Sequence, residues 1–225
     1  MASRNYLIMS NDLTLTEKRE YRLNALSAGL ERCGVKGIGD IKADIPGLAA
    51  IPDAQKVSRV KLIHDYIATG QWPRSIDQRE LDPGQTAAPA AVADLVVAPV
   101  LGSWLTAPLA AVGTIYSCFQ AVAAPQLIVG KLLVCYAVSV DSAAVPMPVS
   151  RLIFRRGGAA GNIQAQFDME AMGVRWEVDA FFSEPVVIDP QDVFAIQVRC
   201  RNATLVAEIV HIHNFLFESS GLVVA

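Results

Sequence analysis

The sequence predicts a mainly β protein, an antiparallel β-sandwich of about eight strands preceded by a small α-helical region. In segment 162–171, apolar residues alternate with polar ones at every position. Side chains of a strand point to opposite faces with a period of two, so this segment is predicted to be a strand with one buried and one wet face. Similar segments recur downstream between turn residues, without a helical pattern among them, which is typical of a sandwich or barrel.

The N-terminal region is predicted to be helical. Thr14 and Glu17 have the spacing of a capping box, in which two side chains satisfy amide groups at a helix start. Gly34 is a natural stop for this helix, because glycine adopts the left-handed conformation without a steric penalty. A second helix is predicted from Asp53, as its cap, to Thr69, since apolar residues recur there at helical spacing.

Three parts are predicted along the chain. Residues 1–80 form a helical arm or domain, residues 81–94 form a connector rich in Pro and Ala, and residues 95–225 form the sandwich. The predicted strands of the sandwich are 95–101, 113–121, 127–140, 149–156, 162–171, 174–182, 193–201 and 207–217.

Two of the predicted strands are apolar on both sides. Segment 127–140 has apolar residues in both alternating phases, and so does much of segment 209–217. Strands of this kind lie between layers of structure. We therefore expect a second layer over one face of the sandwich, formed either by the N-terminal helices or by another subunit.

Composition narrows the possible functions. The net charge of −3 does not indicate a nucleic-acid-binding protein, and a charged fraction of 18% is low for a monomer. We therefore expect the chain to form a homo-oligomer. The four cysteines are far apart and form no Cys-x-x-Cys motif, so they are predicted to be buried thiols. Residues 1–5 are not followed by an apolar segment, so no secretion through a signal peptide is expected.

A long stretch without charge is the predicted contact region. No charged residue stands between Asp94 and Lys131, but three prolines interrupt the stretch, and no membrane span is expected. Buried strands covered by neighbouring subunits explain the absence of charge better than a membrane span does. The predicted interface residues are Trp104, Leu105, Leu109, Ile115, Tyr116 and Phe119.

A short glycine motif lies between the two predicted helices. Residues 37–43 read Gly-Ile-Gly-Asp-Ile-Lys-Ala and resemble the hairpin of the helix-hairpin-helix family. In that family the backbone amides of the hairpin bind a nucleic-acid phosphate, and the resemblance makes Gly37, Gly39 and Lys42 the candidate contacts. A plain turn between helices explains the same residues, and the spacing from the preceding helix is longer than in the family.

Two of the three histidines share a strand face. His211 and His213 stand two residues apart in a predicted strand, and imidazoles at that spacing can bind a metal. With Glu218, they resemble half of the first cupin motif, which carries metal ligands in a β-barrel family. The motif's glycine and its second half are missing, and Glu218 points the other way. Packed or interface histidines are the favoured interpretation, with no metal and no cofactor expected.

Motifs for catalysis are missing from the sequence. It contains no Gly-x-Ser-x-Gly elbow, no Walker loop and no dinucleotide fingerprint. Two carboxylate pairs, Asp168 with Glu170 and Glu177 with Asp179, could act on a sugar as acid and base. Solvated strand faces account for them more simply, so the chain is predicted not to be an enzyme.

The layout of helical arm, connector and low-charge sandwich resembles that of single jelly-roll proteins of virus and phage particles. The resemblance implies a jelly-roll-like fold and a structural role in the virion, as a capsid, spike or capsid-attached subunit. Its partners would be copies of itself and other particle proteins.

Three alternatives stay open. A carbohydrate- or receptor-binding sandwich would need exposed aromatic residues, for which Trp72, Trp104 and Trp176 are available. A cupin-like enzyme would use a metal at His211 and His213. A nucleic-acid-binding adaptor would use the glycine hairpin of residues 37–43.

Overall fold

The computed structural model describes residues 5–33, 76–81, 90–91, 94–95, 101–104, 108–120, 125–141, 148–175, 179–205 and 208–219. Two α-helices and a short 3₁₀ helix occur in these ranges: α1 (Leu15–Arg32), α2 (Glu170–Arg175) and Ser10–Asp12. The strands are β1 (Leu7–Met9), β2 (Ile76–Arg79), β3 (Ala90–Ala91), β4 (Leu101–Trp104), β5 (Ile115–Ser117), β6 (Phe119–Gln120), β7 (Lys131–Asp141), β8 (Val149–Arg156), β9 (Asn162–Asp168), β10 (Asp179–Ile188), β11 (Phe194–Cys200) and β12 (Ile209–Ser219).

The strand order is that of a jelly roll. One sheet has the order β1-β10-β7-β12-β2 and the other has the order β5-β11-β8-β9, and all these pairings are antiparallel. Without β1, the two large sheets contain eight strands. In chain order the first of these, β2, pairs with the last, β12, and the second, β5, pairs with the seventh, β11, as in a jelly roll. The predicted mainly β, antiparallel sandwich is thus confirmed. Strands β3, β4 and β6 form a small third sheet, with β3 and β4 before β5 in the chain and β6 after it.

Helix α1 begins as the sequence predicts. The Thr14 amide donates to Glu17 Oε2 at 2.8 Å, and the Glu17 amide donates back to Thr14 Oγ1 at 3.3 Å, which is the capping box. The helix ends at Arg32, shortly before Gly34. The second predicted helix, residues 53–69, lies outside the described residues.

Two strands arise from the stretch for which the sequence indicated only helices. Strand β1 pairs with β10, and β2 pairs with β12, so both belong to the five-stranded sheet. Each has three or four residues, which is too short for an alternating pattern to stand out. The division of the chain at residues 80 and 94 stays a prediction.

The strand prediction was right for β8 and wrong around residue 170, although the predicted alternation runs through that segment. Strand β8 has the predicted bounds, but β9 ends at Asp168 and the predicted strand ends 169–171 and 174–175 belong mostly to α2. The Asp168 carboxylate accepts a hydrogen bond from the Glu170 amide at 2.9 Å, which is how a helix N-terminus is capped. This local bond breaks the strand.

Helix α1 supplies the second layer expected over the sandwich. One apolar core lies between the two large sheets and contains Leu133 and Val138 of β7, whereas Leu132 and Val134 of the same strand pack in a second core with α1. The prediction that β7 is buried on both faces is confirmed. Three of the four cysteines are buried thiols, as predicted, namely Cys118, Cys135 and Cys200, whereas Cys33 at the end of α1 is only partly buried.

A glycine lets α1 approach the sheet closely. A Cβ added to Gly29 would lie 2.0 Å from Cε2 of Phe217, a fully buried ring on β12. We expect Gly29→Ala to lower the free energy of unfolding by about 2 kcal/mol, because overpacking displaces the helix. Urea unfolding measures the loss. Asn24→Ala on the exposed side of α1 is the control and should stay within about 0.5 kcal/mol of the wild type; an equally small effect at Gly29 would contradict the tight contact.

Candidate metal and ligand site

The two histidines of β12 lie on the outer face of the five-stranded sheet. Their neighbours Val210 and Ile212 point into the core between the sheets, while Phe215 points, like the histidines, toward the side that α1 covers. The predicted shared face of His211 and His213 is therefore confirmed. Both histidines are partly buried, and His213 lines a pocket together with Lys18 and Arg22 of α1.

Glu80 joins the two histidines from the neighbouring strand. It follows β2 directly, and β2 is the edge strand that pairs with β12. His211 Nε2 lies 3.1 Å from Glu80 Oε1, and one possible ligand atom from each of the three residues lies within 4.8 Å of the others. Two imidazoles and one carboxylate form a donor set that zinc and other transition metals use in proteins.

Glu218, the carboxylate of the cupin half-motif, lies elsewhere. Its Oε2 is 3.2 Å from Nζ of Lys131, at the far end of β12. This contact places the Glu218 carboxylate away from the histidines, as the strand periodicity predicts. The carboxylate that does approach them, Glu80, is separated from His211 by 131 positions and left no signal in the sequence.

A serine connects His213 to an aspartate. Ser139 Oγ contacts His213 Nε2, and it donates a hydrogen bond to Asp179 Oδ1 at 2.6 Å. A hydroxyl has one hydrogen, and an ionised carboxylate can only accept, so the His213 ring is the donor toward Ser139. A nucleophilic serine needs the opposite polarity, with its hydroxyl donating to the histidine. The arrangement orients His213 and does not activate Ser139.

Aromatic rings fix the two imidazoles. The Trp104 ring stacks on His211 with a centroid distance of 5.4 Å, and His211 stacks on His213 at 4.6 Å. The Tyr136 ring lies 6.2 Å from His213 on the other side. Such packing limits the number of rotamers that each imidazole can adopt.

The electrostatics favour a charged Glu80 and a neutral His213. The hydrogen bond with His211 lowers the pKa of Glu80 despite its partial burial. Burial lowers the pKa of His213, and the nearby His211 lowers it further. An ionised carboxylate and a neutral imidazole are the forms that bind metals.

A pocket of about 340 Å³ adjoins the cluster at His213. Lys18 and Arg22, one turn apart on α1, give it two positive charges, whereas Asp179 gives one negative charge. This mixture suits a small polar ligand that carries an anionic group and hydroxyls. The lining residues are Ser10, Lys18, Arg22, Tyr136, Ala137, Ser139, Asp179, Phe181 and His213.

Three of the predicted interface residues belong to the core. Trp104, Leu109 and Phe119 have 0% of their surface exposed and pack inside the chain itself, so they offer nothing to a neighbour. Their assignment as interface residues is wrong, because an uncharged stretch cannot distinguish the chain's own core from a subunit contact. Ile115 is 44% exposed, and Tyr116 is half-buried against the core.

Other predicted residues lie outside the described part of the chain. These are the glycine-hairpin residues Gly37, Gly39 and Lys42, the interface candidate Leu105, and Trp72 and Trp176. Of the carboxylate pairs, Asp168 caps α2 through the Glu170 amide and Asp179 accepts from Ser139, whereas Glu177 lies outside the described residues. None of the described helices combines the length and hydropathy needed to cross a bilayer.

No known protein family and no curated protein matches the sequence.

Proposed function

We propose that the chain is a non-enzymatic structural subunit of a virus or phage particle, where it assembles with copies of itself and with other particle proteins. The observation that carries the proposal is the jelly-roll strand order of the two large sheets. Jelly rolls of this kind build viral capsids, although they also occur in lectins and cupins. Because one fold serves many functions, the proposal also needs a surface suited to assembly.

Such a surface lies at one edge of the four-stranded sheet. Val112, Ile115 and Leu205, which we call the loop patch, expose 67%, 44% and 99% of their surface. They lie on two adjacent segments: the Gly113 amide donates to the Cys200 carbonyl, and the Thr204 amide donates to the Leu109 carbonyl, each at 2.9 Å. Exposed apolar residues close together typically mark a contact surface.

The occupant that fits the loop patch is a second copy of this chain. Strand β5, which carries Ile115, is an edge strand among the described residues, and one side of its backbone pairs with none of the strands described there. Two copies of an edge strand related by a two-fold axis pair in the antiparallel sense, and the same apolar residues then meet each other. This contact joins two sandwiches edge to edge.

The other candidate functions find less support. The only tryptophan among the described residues, Trp104, is fully buried, so it cannot serve as the platform of a sugar-binding face. A cupin-like enzyme keeps His211 and His213, now with Glu80 and not Glu218 beside them. That alternative requires the purified chain to bind a metal at these residues.

We expect the purified full chain to form a discrete oligomer or particle in light scattering and negative-stain microscopy. Placing charges in the loop patch with Ile115→Lys and Leu205→Lys should reduce it to monomers, because burying a lysine at an apolar contact is costly. Ile163→Lys is the matched control: Ile163 is 51% exposed and lies on β9, at the opposite edge of the same sheet. It should leave assembly intact.

Two results would contradict this proposal. One is a wild-type chain that stays monomeric up to millimolar concentration. The other is an Ile163→Lys variant that dissociates as fully as the loop-patch variant, since assembly would then not depend on the proposed edge. Circular dichroism of each variant shows that the sandwich remains folded.

A further inference from the structure

We propose that Glu80, His211 and His213 form a binding site for one divalent transition-metal ion of the zinc type. The ion would fasten the end of β2 to the middle of β12, on the outer face of the five-stranded sheet. This inference does not depend on the proposed role in a particle.

The ligand atoms are close to a binding arrangement. They lie within 4.8 Å of one another, whereas ligands of a tetrahedral zinc with bonds of 2.0–2.1 Å are about 3.4 Å apart. Small side-chain rotations close this difference. Two ligands come from alternate positions of β12, and the third directly follows β2, the strand that pairs with β12, so the backbone of the sheet constrains their spacing.

The donor set determines which ion fits. Imidazole nitrogens suit Zn²⁺, Co²⁺ and Ni²⁺, whereas Ca²⁺ and Mg²⁺ prefer sites made of oxygen ligands. Three protein ligands leave at least one coordination position for water or for an anion. His213 also lines the pocket that contains Lys18 and Arg22, which provides positive charge near the cluster.

Hydrogen bonds and ring contacts that orient the two histidines distinguish this cluster from a chance grouping of surface side chains. A metal-binding histidine generally passes its other ring N–H to an acceptor, which orients the ring. Ser139 accepts from His213 and is itself held by Asp179. His211 is held between the rings of Trp104 and His213.

The test uses the full chain without a histidine tag, stripped with EDTA and titrated with Zn²⁺ or Co²⁺. We expect one ion per chain and, for Co²⁺, visible absorption bands of a low-coordinate site. At one hundred times the Kd, Zn²⁺ should raise the Tm by about 5–10 °C. Equal concentrations of Ca²⁺ or Mg²⁺ should not change the Tm.

Variants assign the site to its residues. His211→Ala, His213→Ala and Glu80→Gln should each weaken Zn²⁺ binding by at least about tenfold. Glu80 has 45% of its side chain exposed, and Gln has the same shape, so this variant keeps the fold. Glu218→Gln is the control, because Glu218 lies on the same strand and contacts Lys131 instead; it should bind Zn²⁺ as the wild type does.

Ser139→Ala separates a positioning role from direct binding. It should lower the Zn²⁺ affinity and keep one ion per chain, since Ser139 orients His213 and is not itself a ligand. A wild-type Kd weaker than about 100 μM, or tight binding that persists in all three ligand variants, would overturn the proposal. Loss of binding in Glu218→Gln equal to that in Glu80→Gln would also overturn it.

Discussion

Replacing Phe182 with Ala is expected to lower the free energy of unfolding by about 3–5 kcal/mol. Phe182 belongs to a group of three aromatic rings between the two sheets. Its ring lies 4.3 Å from that of Phe167 and 5.6 Å from that of Phe154, measured between centroids, and all three rings are at most 1% exposed. The substitution leaves a cavity at the contact that joins β10 to β8 and β9, where the surrounding sheets cannot collapse.

Urea unfolding and calorimetry measure this effect, and for a chain of this length we expect the Tm to fall by about 10–15 °C. The adjacent residue gives the control. Phe181 points to the other face of β10, toward Tyr21 and Tyr136, and is only half-buried. Phe181→Ala should cost about 1–2 kcal/mol. Equal losses at both positions would contradict the separation into a core between the sheets and a second core under α1.

The accuracy of the sequence prediction depended on how local each signal was. Strand β8 and the capping box of α1 are encoded within a few neighbouring residues, and both were predicted correctly. Strand β2 has four residues and is held in the sheet by pairing with β12. That pairing joins segments more than a hundred positions apart, so no local pattern could reveal it.

The candidate site likewise contains residues that local sequence patterns predict and residues that only long-range strand pairing brings together. The shared face of His211 and His213 follows from strand periodicity, and it was predicted from two residues alone. Glu80 comes into place only after the chain has closed the jelly roll, with β2 beside β12. Ser139 is brought to His213 by the pairing of β7 with β12. The residues that could complete or orient a metal site are therefore products of the topology.

An ion-pair network lies at the β2 edge of the five-stranded sheet. The Asp94 carboxylate accepts hydrogen bonds from Arg79, at the end of β2, and from Lys131, at the start of β7. Only 6% of the Asp94 side chain is exposed, and Lys131 is 13% exposed. The network thus ties two strands of the five-stranded sheet to the segment between β3 and β4.

Asp94→Asn should lower the free energy of unfolding at pH 7 by about 3 kcal/mol, because it leaves the buried Lys131 ammonium without its main counter-charge. Burial alone would raise the pKa of Asp94, but the hydrogen bonds from Arg79 and Lys131 outweigh it and lower the pKa. A lowered folded-state pKa means that the stabilisation is fully present above the unfolded value of about 3.9 and is lost as the pH falls through the folded value.

Urea unfolding at pH 7, 5 and 3 therefore gives a specific pattern. The difference between the wild type and Asp94→Asn should be constant from pH 7 to 5 and smaller at pH 3. Asp192→Asn is the matched control, because Asp192 pairs at 2.9 Å with Arg156, which is 61% exposed, and such surface pairs contribute about 0.2–1 kcal/mol. An Asp94→Asn loss as small as the control's, or one that grows as the pH falls, would show that Asp94 does not hold the β2 edge through its charge.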